Sequence, residues 1–401
     1  LLSLKVLQNL IEFDSFFKLA NLFYTSIGFR PYQRNDAQRR SFLWNLFFFV
    51  HLFNMNFVLF TELIYVFLAL WNNKNFIEAT MNLSYIGFVF VGDIKIWNIW
   101  YRRQSLTQVI RALLKIYPKT VDLQKSYNVK SFLLNCTRIT FGFALIHQIL
   151  IWTYNLFAIL TYLIYDYWLQ QRVVERVLPY YLYVPWDWHD HWSYYVLYAS
   201  QNLAGHTCVA GQIASDMLLC ATATQLIMHY QYLAKRIAEQ VAHPGARNLE
   251  FLTDLVNYHY KILRISDDIN EVFGFSLLVN FFSSSFIMCF LGFQMTIGVD
   301  TTILVMLFMF LFCSLVQVYM ISNYAQNLII ASESIGHAVY NHDWHDADAR
   351  YKKMLVLIIK RAQTPAVLKA TTFLNISLGT MTDLMQLSYK FFALLRTMYS
   401  K

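Results

Sequence analysis

The chain alternates between long apolar runs and shorter basic segments. A bilayer-spanning helix needs about 20 mostly apolar residues. The first such run is Phe42 to Leu70. The second is Phe76 to Trp97, and the third is Phe132 to Tyr165, long enough to tilt or to extend past the bilayer. A fourth covers Trp192 to Tyr232 and is less apolar, with Gln201, Asn202, His206, Gln212 and Asp216 inside it. The fifth covers Val272 to Ile297. The sixth covers Thr301 to Ile321 after a very short loop. A seventh, Ala370 to Leu395, is polar for a span. The pattern predicts an all-α membrane protein of seven helices. The fourth and fifth are expected to run on as helix beyond the bilayer, because Leu249, Leu252, Leu255, Val256, Ile262, Leu263 and Ile265 keep a helical spacing.

Lys and Arg decide the orientation. Before the first span lie Lys5, Lys18, Arg30, Arg34, Arg39 and Arg40. Between the second and third lie Arg102, Arg103, Arg111, Lys115, Lys119, Lys125 and Lys130. Between the fourth and fifth lie Lys235, Arg236, Arg247, Lys261 and Arg264. Between the sixth and seventh lie Arg350, Lys352, Lys353, Lys360, Arg361 and Lys369. These are 24 of the 32 basic residues. The opposite loops hold only Lys74, Arg172 and Arg176. The bias predicts a cytoplasmic N-terminus and an extracellular C-terminus. No linker or repeat divides the chain, so residues 1–401 read as one domain. Residues 1–41 form a cytoplasmic lead, 42–340 the first six spans with a ligand pocket, and 341–401 a cytoplasmic helix and the seventh span.

Composition agrees and narrows the class. Of 401 residues 57% are hydrophobic, 18% aromatic and only 14% charged. A soluble domain carries about 25% charged residues. An ordinary cytosolic enzyme and a disulfide-rich secreted module are therefore excluded. The net charge of +8 is explained by the loop bias, and no nucleic-acid partner is expected. The five cysteines form no CxxC pair. No GxxxxGK[ST], HExxH or GxSxG motif occurs, so neither enzymatic activity nor a cofactor is expected.

The seventh span carries the most informative pattern. Thr372, Asn375, Gly379, Thr382, Gln386 and Lys390 recur every three or four residues, with Tyr389, Ala393 and Thr397 on the same side and Asp383 beside them. Phe373, Ile376, Leu384, Leu387, Phe391 and Leu395 fall opposite. Polar groups are costly against lipid, so this stripe faces protein or water. Close helix packing through small residues is one reading. A conduit lined by the stripe is the other, and Asp383 and Lys390 favour it because each must find water or a partner.

Other polar residues have plainer readings. Asp187, His189, Asp190 and His191 could hold a metal, but more often such a stretch is an aromatic interface loop. Asp343 or Asp346 reads as a helix N-cap. No metal is expected. Asn82 opens a glycosylation sequon close to the membrane. His147 in the third span is a packing residue or a ligand contact. The outer span halves mix aromatic and small polar residues: Met81 and Tyr85 in the second, Ile151 and Tyr154 in the third, Tyr195, Tyr198 and Asn202 in the fourth. A cavity among them would suit a small volatile or lipid-like ligand.

The stretch Thr364-Pro-Ala-Val-Leu-Lys-Ala-Thr-Thr-Phe-Leu-Asn-Ile-Ser-Leu378 and the ending Ser388-Tyr-Lys-Phe-Phe-Ala-Leu-Leu-Arg396 resemble the insect odorant receptors. Length, span number, reversed topology and the short fifth-to-sixth loop fit the same family along the whole chain. The resemblance implies an odorant-tuning subunit of a ligand-gated cation channel. It implies a heterotetramer with a shared co-receptor, in the plasma membrane of an olfactory sensory neuron dendrite. It also implies a ligand pocket in the outer halves of spans two, three, four and six, which adds Thr302 and Met306. The seventh span would line the pore, with Thr382, Gln386, Tyr389, Lys390 and Ala393 at or near the gate. Lys390 is unfavourable in a cation pore. The family's co-receptor has a longer insertion between spans four and five than this chain, which points to the tuning subunit. The related gustatory-type receptors are the nearest alternative. A seven-span G-protein-coupled receptor would need the opposite orientation, and no Asp-Arg-Tyr follows the third span.

Overall fold

The computed structural model describes residues 10–33, 42–71, 76–170, 176–189, 191–240, 246–372 and 374–399. Lys5, Arg34, Arg39, Arg40, Lys74, Arg172, Asp190 and Phe373, which entered the reading above, lie outside them. Every regular element among the described residues is helical. The one β-bridge is isolated and joins Lys369 to Asn375.

A 3₁₀ turn, Phe13–Phe16, leads into α1 (Lys18–Ser26). There follow α2 (Phe42–Trp71), α3 (Phe76–Tyr101), the short α4 (Arg103–Ile116) and α5 (Val121–Ser126), and α6 (Val129–Tyr162), which ends in a π-turn at Leu163–Trp168. Then come α7 (Ser193–Ala238), α8 (Ala246–Gln294), α9 (Thr301–Asn341), α10 (Ala349–Ala362) and α11 (Leu378–Tyr399). Local sequence explains the short helices. In α4, Leu106, Val109, Ile110 and Leu113 are buried at helical spacing, and this stripe packs on α8. In α10, Tyr351, Leu355, Ile358 and Ala362 do the same, against α9 and α8.

The core is built around α7. Its residues from Thr207 to Tyr230 are buried on every side, and α9, α2, α6, α3 and α1 surround it. A helix enclosed by other helices need not be apolar, provided its polar groups are bonded. This is why the fourth span reads as weakly hydrophobic. Small residues permit the close approach. A Cβ on Gly211 would come within 2.5 Å of Ile96, and one on Gly92 within 2.7 Å of the Cys208 Sγ.

Among the described residues four helical segments are long and apolar enough to cross a membrane: Phe42–Trp71, Val129–Trp168, Leu249–Gln294 and Thr301–Asn341. The other long helices, α3, α7 and α11, are not among these four. Both α7 and α8 are single continuous helices, as expected. So is α9, which runs to Asn341 and not merely to Ile321.

Two expectations are corrected. The last helix begins at Leu378, so Thr372 and Asn375 are not part of its stripe. The backbone before it is spent on a tight turn, with the Ala370 N–H donating to the Leu374 carbonyl (2.9 Å) and the Ile376 N–H to the Leu368 carbonyl (2.8 Å). Ser377 and Thr380 then open the helix reciprocally. The Ser377 N–H donates to the Thr380 hydroxyl (2.7 Å) and the Thr380 N–H to the Ser377 hydroxyl (3.2 Å). Secondly, α10 starts at Ala349 with Asp348 in the cap position, so neither Asp343 nor Asp346 is the N-cap.

Candidate functional site

A cavity lies among α2, α3, α6 and α7. Met55, Val58 and Glu62 come from α2, Tyr85, Phe88 and Val89 from α3, Ile151 from α6, and Gln201, Ala204, Gly205 and Cys208 from α7. Tyr180, from the segment before α7, completes the wall. The cavity volume is about 40 Å³, far below the 300–1,000 Å³ of drug-sized sites, so seating a ligand larger than a few water molecules requires its walls to part. The lining is mostly apolar, so burying an apolar ligand there is favourable.

The segment 176–189 closes the cavity. Its Tyr180 backbone is held on both sides by Gln201, whose Oε1 accepts from the Tyr180 N–H (3.3 Å) and whose Nε2 donates to the Tyr180 carbonyl (2.8 Å). The Tyr180 hydroxyl donates to Asn155 Oδ1 (3.1 Å). Tyr183 N–H donates to the Thr61 carbonyl (3.2 Å), and the Tyr181 ring stacks on Tyr65. Asn82, the sequon asparagine, is fully buried and donates to the Tyr181 carbonyl (2.8 Å). That amide is thus a structural clamp on the segment. Further along it, Asp187 accepts from His189 through the backbone N–H and Nδ1 (3.1 and 2.9 Å). These contacts, the side-chain bond foremost, hold the Asp187 carboxyl below its ordinary range.

The sequence-selected ligand residues fall at varied distances from this space. Tyr85 and Ile151 line it. Tyr154 stands behind Tyr85, ring centroids 5.4 Å apart, in an aromatic group that includes Phe310. Met306 packs against the neighbouring cluster of Leu150, Leu291, Leu307 and Phe310. His147 is buried and its Nδ1 donates to the Phe143 carbonyl (3.0 Å), within its own helix. The Tyr198 hydroxyl donates to the Asn155 carbonyl, and Asn202 to the Tyr198 carbonyl (2.7 Å). Tyr195 is exposed beneath the Arg176 guanidinium, and Thr302 is exposed in the first turn of α9. Met81 is half-buried on α3 and does not line the space. Sequence reading missed α2 entirely. The signal was there: Met55, Val58 and Glu62 are spaced as one helix face, and Glu62 is the one acid in that apolar run.

The second feature is α11. Leu384 and Ser388 are buried against the body of the protein. The Ser388 hydroxyl lies 3.1 Å from Ser285 Oγ, and Phe391 stacks on Phe286. Thr382, Gln386, Tyr389 and Lys390 all face outward, Tyr389 being 68% exposed, and Ala393 is half-buried. At 100° per residue these five sit opposite the packed face. Leu387, expected on the packed side, is exposed on the flank with Leu394 and Met398. Neither Asp383 nor Lys390 has an ion-pair partner among the described residues.

The described residues form an all-helical membrane-protein fold with an apolar cavity between its helices and a last helix that turns polar groups outward. The family model described as 7tm Odorant receptor matches residues 75–389. The chain is 54% identical to putative odorant receptor 85d of Drosophila melanogaster, over 97% of this chain and 95% of that one. It is 47% identical to odorant receptor 85b of the same fly, over 97% of this chain and 100% of the other. The solved insect olfactory receptor OR5 of Machilis hrabei, in complex with eugenol, shares the fold. Its TM-score is 0.79 at 15% identity, covering 96% of this chain and 98% of that one. The chain belongs to the insect odorant receptor family.

Proposed function

We propose that this chain is the odorant-binding, tuning subunit of a ligand-gated cation channel. It spans the plasma membrane of an olfactory sensory neuron dendrite seven times, N-terminus inside. The seven spans are α2, α3, α6, α7, α8, α9 and α11. The observation that carries the reading is α11, whose polar face turns away from the helices that hold it. Such a face needs water or another subunit beside it. Equivalent helices of a heterotetramer with the shared co-receptor would enclose a conduit lined by Thr382, Gln386, Tyr389, Lys390 and Ala393. The cavity beside Tyr85 and Ile151 takes a small volatile ligand, and binding favours whichever arrangement of α11 opens the conduit. The chain spans nearly the whole length of its odorant-receptor relatives.

The test is current recording from cells expressing the chain with and without the co-receptor, across an odorant panel. Odorant-evoked conductance that persists when G-protein signalling is blocked is the expected result. Conductance abolished by that block would overturn the channel reading.

A further inference from the structure

Glu62 is a carboxyl group inside an apolar cavity. It is 2% exposed, and its Oε2 has no hydrogen-bond partner. Burying such an atom unpaired is unfavourable. Apart from the Tyr85 hydroxyl, the other polar side chains around the space are committed. Gln201 is engaged at both ends by the Tyr180 backbone, the Tyr180 hydroxyl by Asn155, and Cys208 Sγ by the Phe88 carbonyl (3.7 Å). Glu62 therefore offers hydrogen-bonding capacity that the fold leaves unused, and it lines the same space as Met55, Val58, Tyr85 and Ile151.

We propose that Glu62 is the polar anchor of the cavity and selects apolar ligands that carry a hydroxyl group, with Oε2 accepting the ligand O–H. This rests on the reading of the cavity as the ligand site. A carboxyl oxygen accepts such a bond whether or not the group is ionised, and a hydroxyl adds little bulk to an apolar body. When the group is ionised, a methyl ether of the same skeleton cannot donate and would leave Oε2 unpaired. A site built to bond a hydroxyl rejects analogues that lack it for this reason.

The test is binding to the purified full-length chain in detergent, read by ligand-induced thermal shift. The probes are linear, branched and aromatic monohydric alcohols in a graded size series starting from the smallest, each beside its methyl ether. The best alcohols should bind about ten- to a hundredfold more tightly than their ethers, the range for a hydrogen bond to a charged or strongly polar buried group. Glu62→Leu should abolish that preference while still folding, because it removes an unpaired buried polar atom. Glu62→Gln, which keeps an acceptor oxygen, should retain part of it. An unchanged alcohol-to-ether ratio in Glu62→Leu, ethers matching alcohols in the unmodified protein, or no alcohol binding at all would each overturn the proposal. Because binding is read without current, failure of the channel reading shows separately in the recordings.

Discussion

Lys95 and Asp216 form an ion pair in the middle of the helix bundle, Nζ lying 2.7 Å from Oδ1 and 2.9 Å from Oδ2, with side chains 2% and 4% exposed. Lys95 is on α3 and Asp216 on α7. A third helix joins them, for Gln317 on α9 donates to Asp216 Oδ2 (2.7 Å) and lies 3.2 Å from Gln212 Oε1. Gln212 in turn donates to the Phe88 carbonyl (2.7 Å), beside the cavity. Every charge in this chain of contacts is matched, which is the condition for burying it.

Removing one charge should therefore be far worse than removing both. Lys95→Met or Asp216→Leu alone should cost about 3–5 kcal/mol. Both should lower the melting temperature and the amount of protein at the cell surface. The double substitution should recover most of that loss. Single variants as stable as the unmodified protein would show that the pair is not closed to water as the contacts indicate.

The approach of α3 to α7 depends on having no side chain at Gly92 and Gly211. Gly211→Val should clash with Ile96 and destabilise by about 1–3 kcal/mol, the usual cost of overpacking. Ile96→Ala should relieve part of that clash, so the two changes together should be less damaging than their sum. A double-mutant cycle on melting temperature measures this, and additive effects would count against direct contact.

Much of the fold was legible because long apolar runs are hard to mistake, as Phe42–Trp71 and Thr301–Asn341 show. The start of the last helix was not. The stripe through Thr372 and Asn375 keeps helical spacing, yet long-range hydrogen bonds from Asn270 to the Val367 and Lys369 backbone hold that stretch as a turn, and periodicity does not report them. The Ser377–Thr380 capping pair did mark the true start. For the cavity, Tyr85 and Ile151 were found because aromatic and apolar residues in outer span halves are visible in sequence. Glu62 was not legible as a site residue because a single acid in an apolar span also reads as one that pairs or reaches water at the membrane edge. Tyr180 could not be placed from sequence, since its position depends on a non-local clamp by Gln201.

Asn270 is the clamp on the turn before α11. Its Nδ2 donates to the Val367 carbonyl and its Oδ1 accepts from the Lys369 N–H, both at 2.9 Å. Asn270→Ala should leave both backbone groups without these partners, at about 1–3 kcal/mol locally. Hydrogen exchange should rise at Lys369 and its neighbours while the core of α7 stays protected. Unchanged exchange there would mean the turn holds without the clamp.

The outward face of α11 yields the last prediction. The five cysteines are all buried, so new ones can be read against a quiet background. Cysteines at Thr382, Gln386 and Ala393 should react with a water-soluble thiol reagent at least about tenfold faster than cysteines at Leu384 or Ser388, because only the first group faces away from the body. Where α11 lines the proposed conduit, modification at the first three should also reduce odorant-evoked current. Lys390 adds a sign to this test. A fixed positive charge ~8 Å from a passing cation in water opposes it by about 0.5 kcal/mol. Lys390→Gln should therefore raise inward cation conductance about twofold, and Lys390→Glu should raise it further. Conductance indifferent to the charge at position 390, together with equal thiol reactivity on both faces of α11, would remove this helix from the conduit.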